Sequence, residues 1–316
     1  MRIPKLAIAV LACFSALGQV SGPVAGYLFD GAALRPIAGV PGGATLGDAM
    51  DLGRAANAVA VSPQLDSAIV TASDGMLHLY RLSGKSAAEV AWSGVPSWPA
   101  RVVYSPSGTA AAIYGYGRAQ VFGGLPNSPQ LVFVAELGPS SRPVSKFNSG
   151  GPQAMAVSDD AAWLIVASEG RVHLVGASFS GSVLAVAAGP RVGVAFAPGG
   201  HAAAILNGAG PWLDVFPDVS ASSQRIAAPG LAEPVGLAFS GDGKFVVAAS
   251  RTANSVTIFD LAAGAATTLD CSCTPSGVAR MGNLFRLTDA GSGPVWMVDM
   301  NATPARSVFV PARAMP

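Results

Sequence analysis

The chain has 316 residues, and 19 Lys+Arg against 18 Asp+Glu give a net charge of +1. A hydrophobic content of 51% excludes intrinsic disorder, and a charged content of only 12% leaves no basic excess to hold a phosphate backbone, which counts against nucleic acid as a partner. Beyond the N-terminus the apolar residues are mostly Ala and Val broken by Gly and Pro, and no run approaches the roughly 18 residues of a membrane-spanning helix.

The first segment reads as an address. Met1 to Lys5 carries two positive charges, Leu6 to Leu17 is apolar and uncharged, and Ala16-Leu17-Gly18 sets small residues where a signal peptidase reads. Residues 1–18 are therefore expected to be a cleaved signal peptide and residues 19–316 a single domain exported to the periplasm or the extracellular space. A buried N-terminal helix and lipidation at Cys13 are the competing readings, and Leu11 is bulky for the second. Cleavage would remove Arg2, Lys5 and Cys13, leaving a nearly neutral domain with Cys271 and Cys273. Cysteines two apart close a small, strained ring. Half of a zinc site is equally conceivable, but the histidines are only His78, His173 and His201, and no second cysteine pair exists. They are read as loop cysteines, possible partners in a disulfide and not free thiols in an exported chain.

A repeat organises the rest. A short apolar strand ending in a turn recurs as Ala58 to Pro63, Val102 to Pro106, Met155 to Asp159, Val194 to Pro198 and Leu237 to Gly241, with a weaker copy at Val278 to Met281. The equivalent positions 62, 105, 158, 197, 240 and 281 are separated by 43, 53, 39, 43 and 41 residues. A second, alternating phrase follows in each unit, as in Leu77 to Tyr80, Ala119 to Phe122, Val172 to Val175, Leu213 to Phe216, Val256 to Phe259 and Val295 to Val298; Gly26 to Phe29 reads as its seventh copy. Between the two lies a further apolar strand, such as Ser67 to Ala72 or Phe245 to Ser250, and after the second comes a fourth, such as Ala88 to Trp92 or Leu131 to Ala135. Four short strands every forty-odd residues, bounded by Gly, Pro, Ser and Asp, predict an all-β fold of propeller blades. Seven blades of short antiparallel four-stranded sheets are expected, with six as the alternative. The first blade is expected to be incomplete, or closed with help from Ser307 to Val310.

One unit carries a family resemblance. Phe239-Ser240-Gly241-Asp242-Gly243-Lys244-Phe245 and the following Val246 to Ser250, then Asn254-Ser255-Val256-Thr257-Ile258-Phe259-Asp260-Leu261, resemble a repeat of the YVTN or lactonase-like propeller families. The chain is also similar to uncharacterised exported bacterial propeller proteins. The other units are degenerate, with Asp299 matching Asp260. The resemblance implies a propeller that is either a lactonase, a quinoprotein subunit or a binding scaffold, and a fold does not choose among these.

In a propeller the loops entering the first strand and those joining the second to the third share one face, around the mouth of the central channel. Asn57, Trp98, Arg101, Gln153, Glu169, Arg191, Glu233, Arg251 and Asp289 fall on these loops. Arg101, Arg191 and Arg251 could hold a polar ligand against Trp98, and Tyr116 and Arg118 form an aromatic tip suited to a partner contact. Solvated loop residues are the competing reading of both. A lactonase-like hydrolase would need Glu169 or Glu233, with Asn57 or Asp289, to converge on a metal. No EF-hand, P-loop, HExxH or GxSxG motif is present. The expectation is an exported, monomeric, non-catalytic scaffold with no cofactor and no metal, binding a protein, glycan or small ligand. The alternative is the metal-dependent hydrolase.

Overall fold

The computed structural model describes residues 22–137, 151–168, 171–177, 179–186, 192–207, 210–291 and 293–312. The segment read as a signal peptide lies outside them.

Among the described residues the structure is all-β, a seven-bladed propeller of one three-stranded and six four-stranded antiparallel sheets, each built from consecutive strands. The first strands are Val24–Phe29, Ala56–Val61, Arg101–Tyr104, Ala154–Val157, Val192–Phe196, Pro234–Phe239 and Ala279–Met281, in blades 1 to 7. They neighbour one another in that order, and the last lies against the first, so the ring is closed. Each first strand runs from one face, here the entry face, to the opposite, far face. The far face therefore carries the turns between first and second strands and between third and fourth.

A four-stranded sheet this small cannot cover itself, so it is covered by its neighbours. The core divides into clusters that each span two adjacent blades. Phe259, Val246 and Leu237 of blade 6 pack on Leu206 and Leu213 of blade 5, and Leu28 and Ile37 of blade 1 pack on Met281, Leu284 and Met297 of blade 7. Second strands are flanked by neighbouring strands and covered by neighbouring blades on both sheet surfaces. Ser67–Ala72 and Ala110–Gly115 are accordingly buried along their whole length, which is why they read as continuous apolar runs without alternation.

The repeated serine at the end of the first strand has a shared task. Ser62, Ser105, Ser158 and Ser240 are all buried. The Ser105, Ser158 and Ser240 hydroxyls accept the amide five residues on, from Ala110, Trp163 and Phe245 at 3.1, 3.0 and 3.0 Å. Each closes its hairpin by satisfying a backbone donor that burial would otherwise leave unpaired.

Blade 1 departs from expectation in two ways. Its strands are Val24–Phe29, Leu34–Ala38 and Thr45–Leu46. Gly26 to Phe29, however, belongs to the first strand of the blade and not the third, with Tyr27 and Phe29 on the channel wall. Ser307 to Val310 does not complete blade 1. It lies in Arg306–Val310, the outer strand of blade 7, paired along Val295–Asp299. The ring is closed by side-chain packing between blades 1 and 7, with no strand of one added to the other among the described residues.

Candidate functional site

The sequence-selected residues separate into two groups on the entry face. The first belongs to blade 3. Trp98 precedes its first strand and is 46% exposed, and its amide donates to the Gly75 carbonyl of the blade 2 second–third turn at 2.7 Å. The indole lies directly on Gly75, so closely that any side chain there would collide with the ring, and the Gly75 φ of 82° is one that L residues rarely adopt. Tyr116, 41% exposed, is the tip of the turn between Ala110–Gly115 and Arg118–Gly123. Met76, beside Gly75, is exposed as well, so three large apolar side chains stand out on this side of the face.

Two of the three have strained backbones. Trp98 has φ 50° and Tyr116 φ 54°, a left-handed conformation that costs a residue with a Cβ about 1 kcal/mol or more. Arg101 opens the first strand of the blade, opposite Tyr114, and is exposed. Desolvation by the surrounding protein nevertheless holds its pKa below the usual arginine value. Arg118 pairs with Glu136 at 2.9 Å at the base of the Tyr116 turn.

The second group, Glu233 and Arg251, belongs to blade 6, three blades away around the ring. The Arg251 amide donates to the Glu233 carbonyl at 3.2 Å, and Glu233 also has a left-handed backbone, φ 46°. The structure thus brings Trp98, Arg101, Tyr116 and Arg118 together on blade 3, and Glu233 with Arg251 on blade 6, without joining the two groups. Arg191 and Glu169 lie outside the described residues.

Other candidates on this face are engaged locally. The Asn57 amide donates to the Ala72 carbonyl at 3.4 Å; Asp289 accepts from the Ser276 hydroxyl at 3.0 Å and pairs with Arg286 at 3.3 Å. Cys271 and Cys273 are joined as a disulfide, with Cα atoms 5.0 Å apart, in the loop entering blade 7. Among the described residues no three His, Cys, Asp or Glu side chains converge as a metal site would require. His78, on a third strand, instead meets Arg54 and Glu89 on the outside of blade 2.

The channel itself holds a cavity of about 400 Å³ that no sequence motif announced. All seven first strands contribute to its wall; Pro63, Ser105, Pro106 and Met281 mark its far end, and Val278, Ala279 and Arg286 carry it toward the entry face. Its charged lining residues are Arg280 and Arg286. Arg280, 8% exposed, donates from Nη2 to the Pro106 carbonyl of blade 3 and from Nη1 to the Gly282 carbonyl at 3.2 Å. Blades 7 and 3 are three steps apart in the ring, so this side chain spans the end of the channel. The Gly282 amide reaches the Pro63 carbonyl of blade 2 at 2.8 Å, bringing the blade 7 turn across the same opening.

Asp159 ties blade 4 to both of its neighbours. One carboxylate oxygen accepts the Ser107 amide of blade 3 and the other the Gly199 amide of blade 5, each at 2.7 Å, and its carbonyl accepts the Thr109 hydroxyl at 2.8 Å. A single side chain on blade 4 so ties both neighbours.

No protein-family model and no curated protein sequence matches the chain. Solved structures do. The Sqt1 propeller of Chaetomium thermophilum, determined bound to the N-terminus of the ribosomal protein L10, is 18% identical over 90% of this chain and 82% of its own, with a TM-score of 0.54. Sqt1 solved alone is 20% identical over 84% and 74%, with a TM-score of 0.53. The dihydro-heme d1 dehydrogenase NirN, in complex with DHE, is 19% identical with a TM-score of 0.47, and the match covers 80% of this chain but only 54% of NirN. These likenesses are of fold. Among the described residues no helix is long and apolar enough to cross a membrane, which says nothing of crossing by strands.

Proposed function

We propose that this protein is an exported, non-catalytic binding scaffold that holds a partner protein on the entry face of blades 2 and 3. One observation carries the reading: Met76, Trp98 and Tyr116 are exposed on three entry-face connections of the adjacent blades 2 and 3, and the two aromatics are presented by strained backbone. Exposed aromatics beside an arginine are the composition of interface hot spots, and strain that persists in a fold tends to mark working loops. Trp98 and Tyr116 would supply the apolar anchor, and Arg101 would donate to a carboxylate or carbonyl of the partner. Sqt1, similar in fold, is held to the N-terminus of another protein, a precedent for the architecture and not for the partner. Export rests on the charged, apolar and small-residue pattern of residues 1–18. The lactonase-like alternative rests on the Phe239 to Leu261 repeat alone.

The test is capture by tagged full-length protein from the exported fraction of its host, in wild type and two variants. Trp98→Ala/Tyr116→Ala should lose the captured partner, and Lys244→Ala on the far face should keep it. A partner retained by the double variant would move the site elsewhere. An intact mass beginning near Gln19 would support export, and one beginning at Met1 would remove it.

A further inference from the structure

The cavity in the channel has the makings of a site of its own. Its walls are the first strands of the seven blades, which carry mostly apolar residues there, Phe29, Val61, Met155, Phe196, Leu237 and Phe239 among them. Its volume of about 400 Å³ falls in the range of roughly 300–1,000 Å³ typical of small-molecule pockets. No Asp, Glu, Lys or His lines it, so the charge on the wall is that of two arginines. Arg286 is paired with Asp289.

Arg280 has a different situation. A guanidinium has five N–H donors, and Arg280 donates to two neutral main-chain carbonyls, those of Pro106 and Gly282. No carboxylate lies within salt-bridge distance of it among the described residues. The acid it feels electrostatically is Asp159, whose oxygens already accept two backbone amides. Burial lowers its pKa, and Asp159 only partly opposes this. A cation taken out of water and left with neutral partners is a costly arrangement unless something negative joins it.

We propose that this cavity binds a small apolar carboxylate, with its acid group on Arg280 and its hydrocarbon body against the apolar first strands. An inorganic anion would leave the apolar wall unfilled. An amine or a neutral molecule would meet no acid and gain nothing from the guanidinium. A planar carboxylate matches the fork of the guanidinium in two parallel hydrogen bonds. The Arg280 guanidinium lies at the other end of the channel from the Trp98 loops, bonded to the Pro106 carbonyl, so this reading and the entry-face reading can fail separately.

The experiment is titration calorimetry and thermal shift on the full chain with phenylacetate and 4-phenylbutyrate, each against its primary amide, with inorganic phosphate as a third probe. The acids should bind and raise the melting temperature, with the amides and phosphate at least about tenfold weaker, the effect of roughly one charge-assisted contact. Arg280→Met should abolish the preference for acid over amide, and Arg280→Lys should retain part of it. Equal binding of acid and amide, binding of neither, or phosphate binding as tightly as the acids would overturn the proposal. So would an acid preference that survives Arg280→Met. Should Arg280→Met prove too unstable to purify, the acid–amide comparison on the wild type decides alone.

Discussion

The two faces of the propeller are built by different rules. On the far face small devices recur in several blades: a buried serine closes the hairpins of blades 3, 4 and 6, and in blades 4 and 6 an aspartate two residues later accepts from that serine, as Asp160 does from Ser158 and Asp242 from Ser240, both at 2.6 Å. Asp159 and Arg280 then join one blade to another. On the entry face the loops share no such device. Exposed Trp98 and Tyr116 occupy blade 3, the Cys271–Cys273 disulfide blade 7, and Glu233 with Arg251 blade 6. Repetition therefore follows the requirement to end each hairpin without unpaired donors, and variation is confined to loops whose backbone that requirement leaves alone.

The sharpest way to break this contrast is to remove its strongest far-face link. Asp159→Ala leaves the Ser107 and Gly199 amides without their acceptor on two blades at once. Hydrogen bonds to a charged group contribute about 1.5–3 kcal/mol each when buried; Asp159 is only half-buried, so a total loss of about 2 kcal/mol is expected in urea unfolding. Asp289→Ala on the entry face should cost well under half of that. Equal losses would mean that the far face is not the more tightly stitched of the two.

A smaller effect should appear on acidification. Asp30, Asp160, Asp218 and Asp242 all have pKa values below the ordinary carboxylate value, and all four lie in far-face turns. For Asp30 and Asp160 burial pushes upward, but hydrogen bonds from Arg35 and the Ala33 and Ala32 amides, or from Ser158, Ala162 and His201, outweigh it. For Asp218 and Asp242 the leading cause is the hydroxyl of Ser220 or Ser240. A depressed folded pKa means that the carboxylates stabilise the fold fully above the unfolded value of about 4 and lose that contribution as pH falls through the lower folded values. The urea midpoint should therefore drop from about pH 5 downward, and Asp160→Asn should make that drop shallower. An unchanged slope in the variant would remove Asp160 from the acid response.

Most of the strand plan was legible because the turns are encoded locally. The second strands Ser67–Ala72 and Phe245–Ser250 fall where their apolar runs were read. The one misplaced strand shows the limit of such reading. Tyr27-Leu28-Phe29-Asp30 resembles Thr257-Ile258-Phe259-Asp260 because both end in the same turn. Asp30 accepts the Ala32 and Ala33 amides at 3.0 and 2.7 Å, and Asp260 the Ala262 and Ala263 amides at 3.0 and 2.9 Å. The residues specify the turn, and the strand's place in its blade comes from what pairs beside it. On the entry face Trp98 and Tyr116 could be picked out by type, but not the Gly75 seat under Trp98, which joins two blades. The reach of Arg280 was hidden for a related reason: its acceptor, Pro106, is 174 residues away and comes within range only once the ring has closed.

The smallest stability effect should accompany the largest effect on binding, at Tyr116. Its left-handed φ of 54° costs an L residue about 1 kcal/mol, a cost that glycine does not bear. Tyr116→Gly releases that strain but gives the unfolded chain more freedom, and it removes a side chain that is 41% exposed and so contributes little packing. These contributions roughly cancel, and the unfolding free energy should stay within about 0.5 kcal/mol of wild type. Tyr116→Ala keeps the strain and loses the ring, so it should be less stable than the glycine variant by about 1 kcal/mol. Both should lose partner capture alike, since both delete the aromatic tip. If alanine and glycine prove equally stable, the backbone at Tyr116 is not held left-handed in solution. The ring would then be presented by a mobile tip instead of a strained one, and the contrast between the two faces would rest on Trp98 and its Gly75 seat alone.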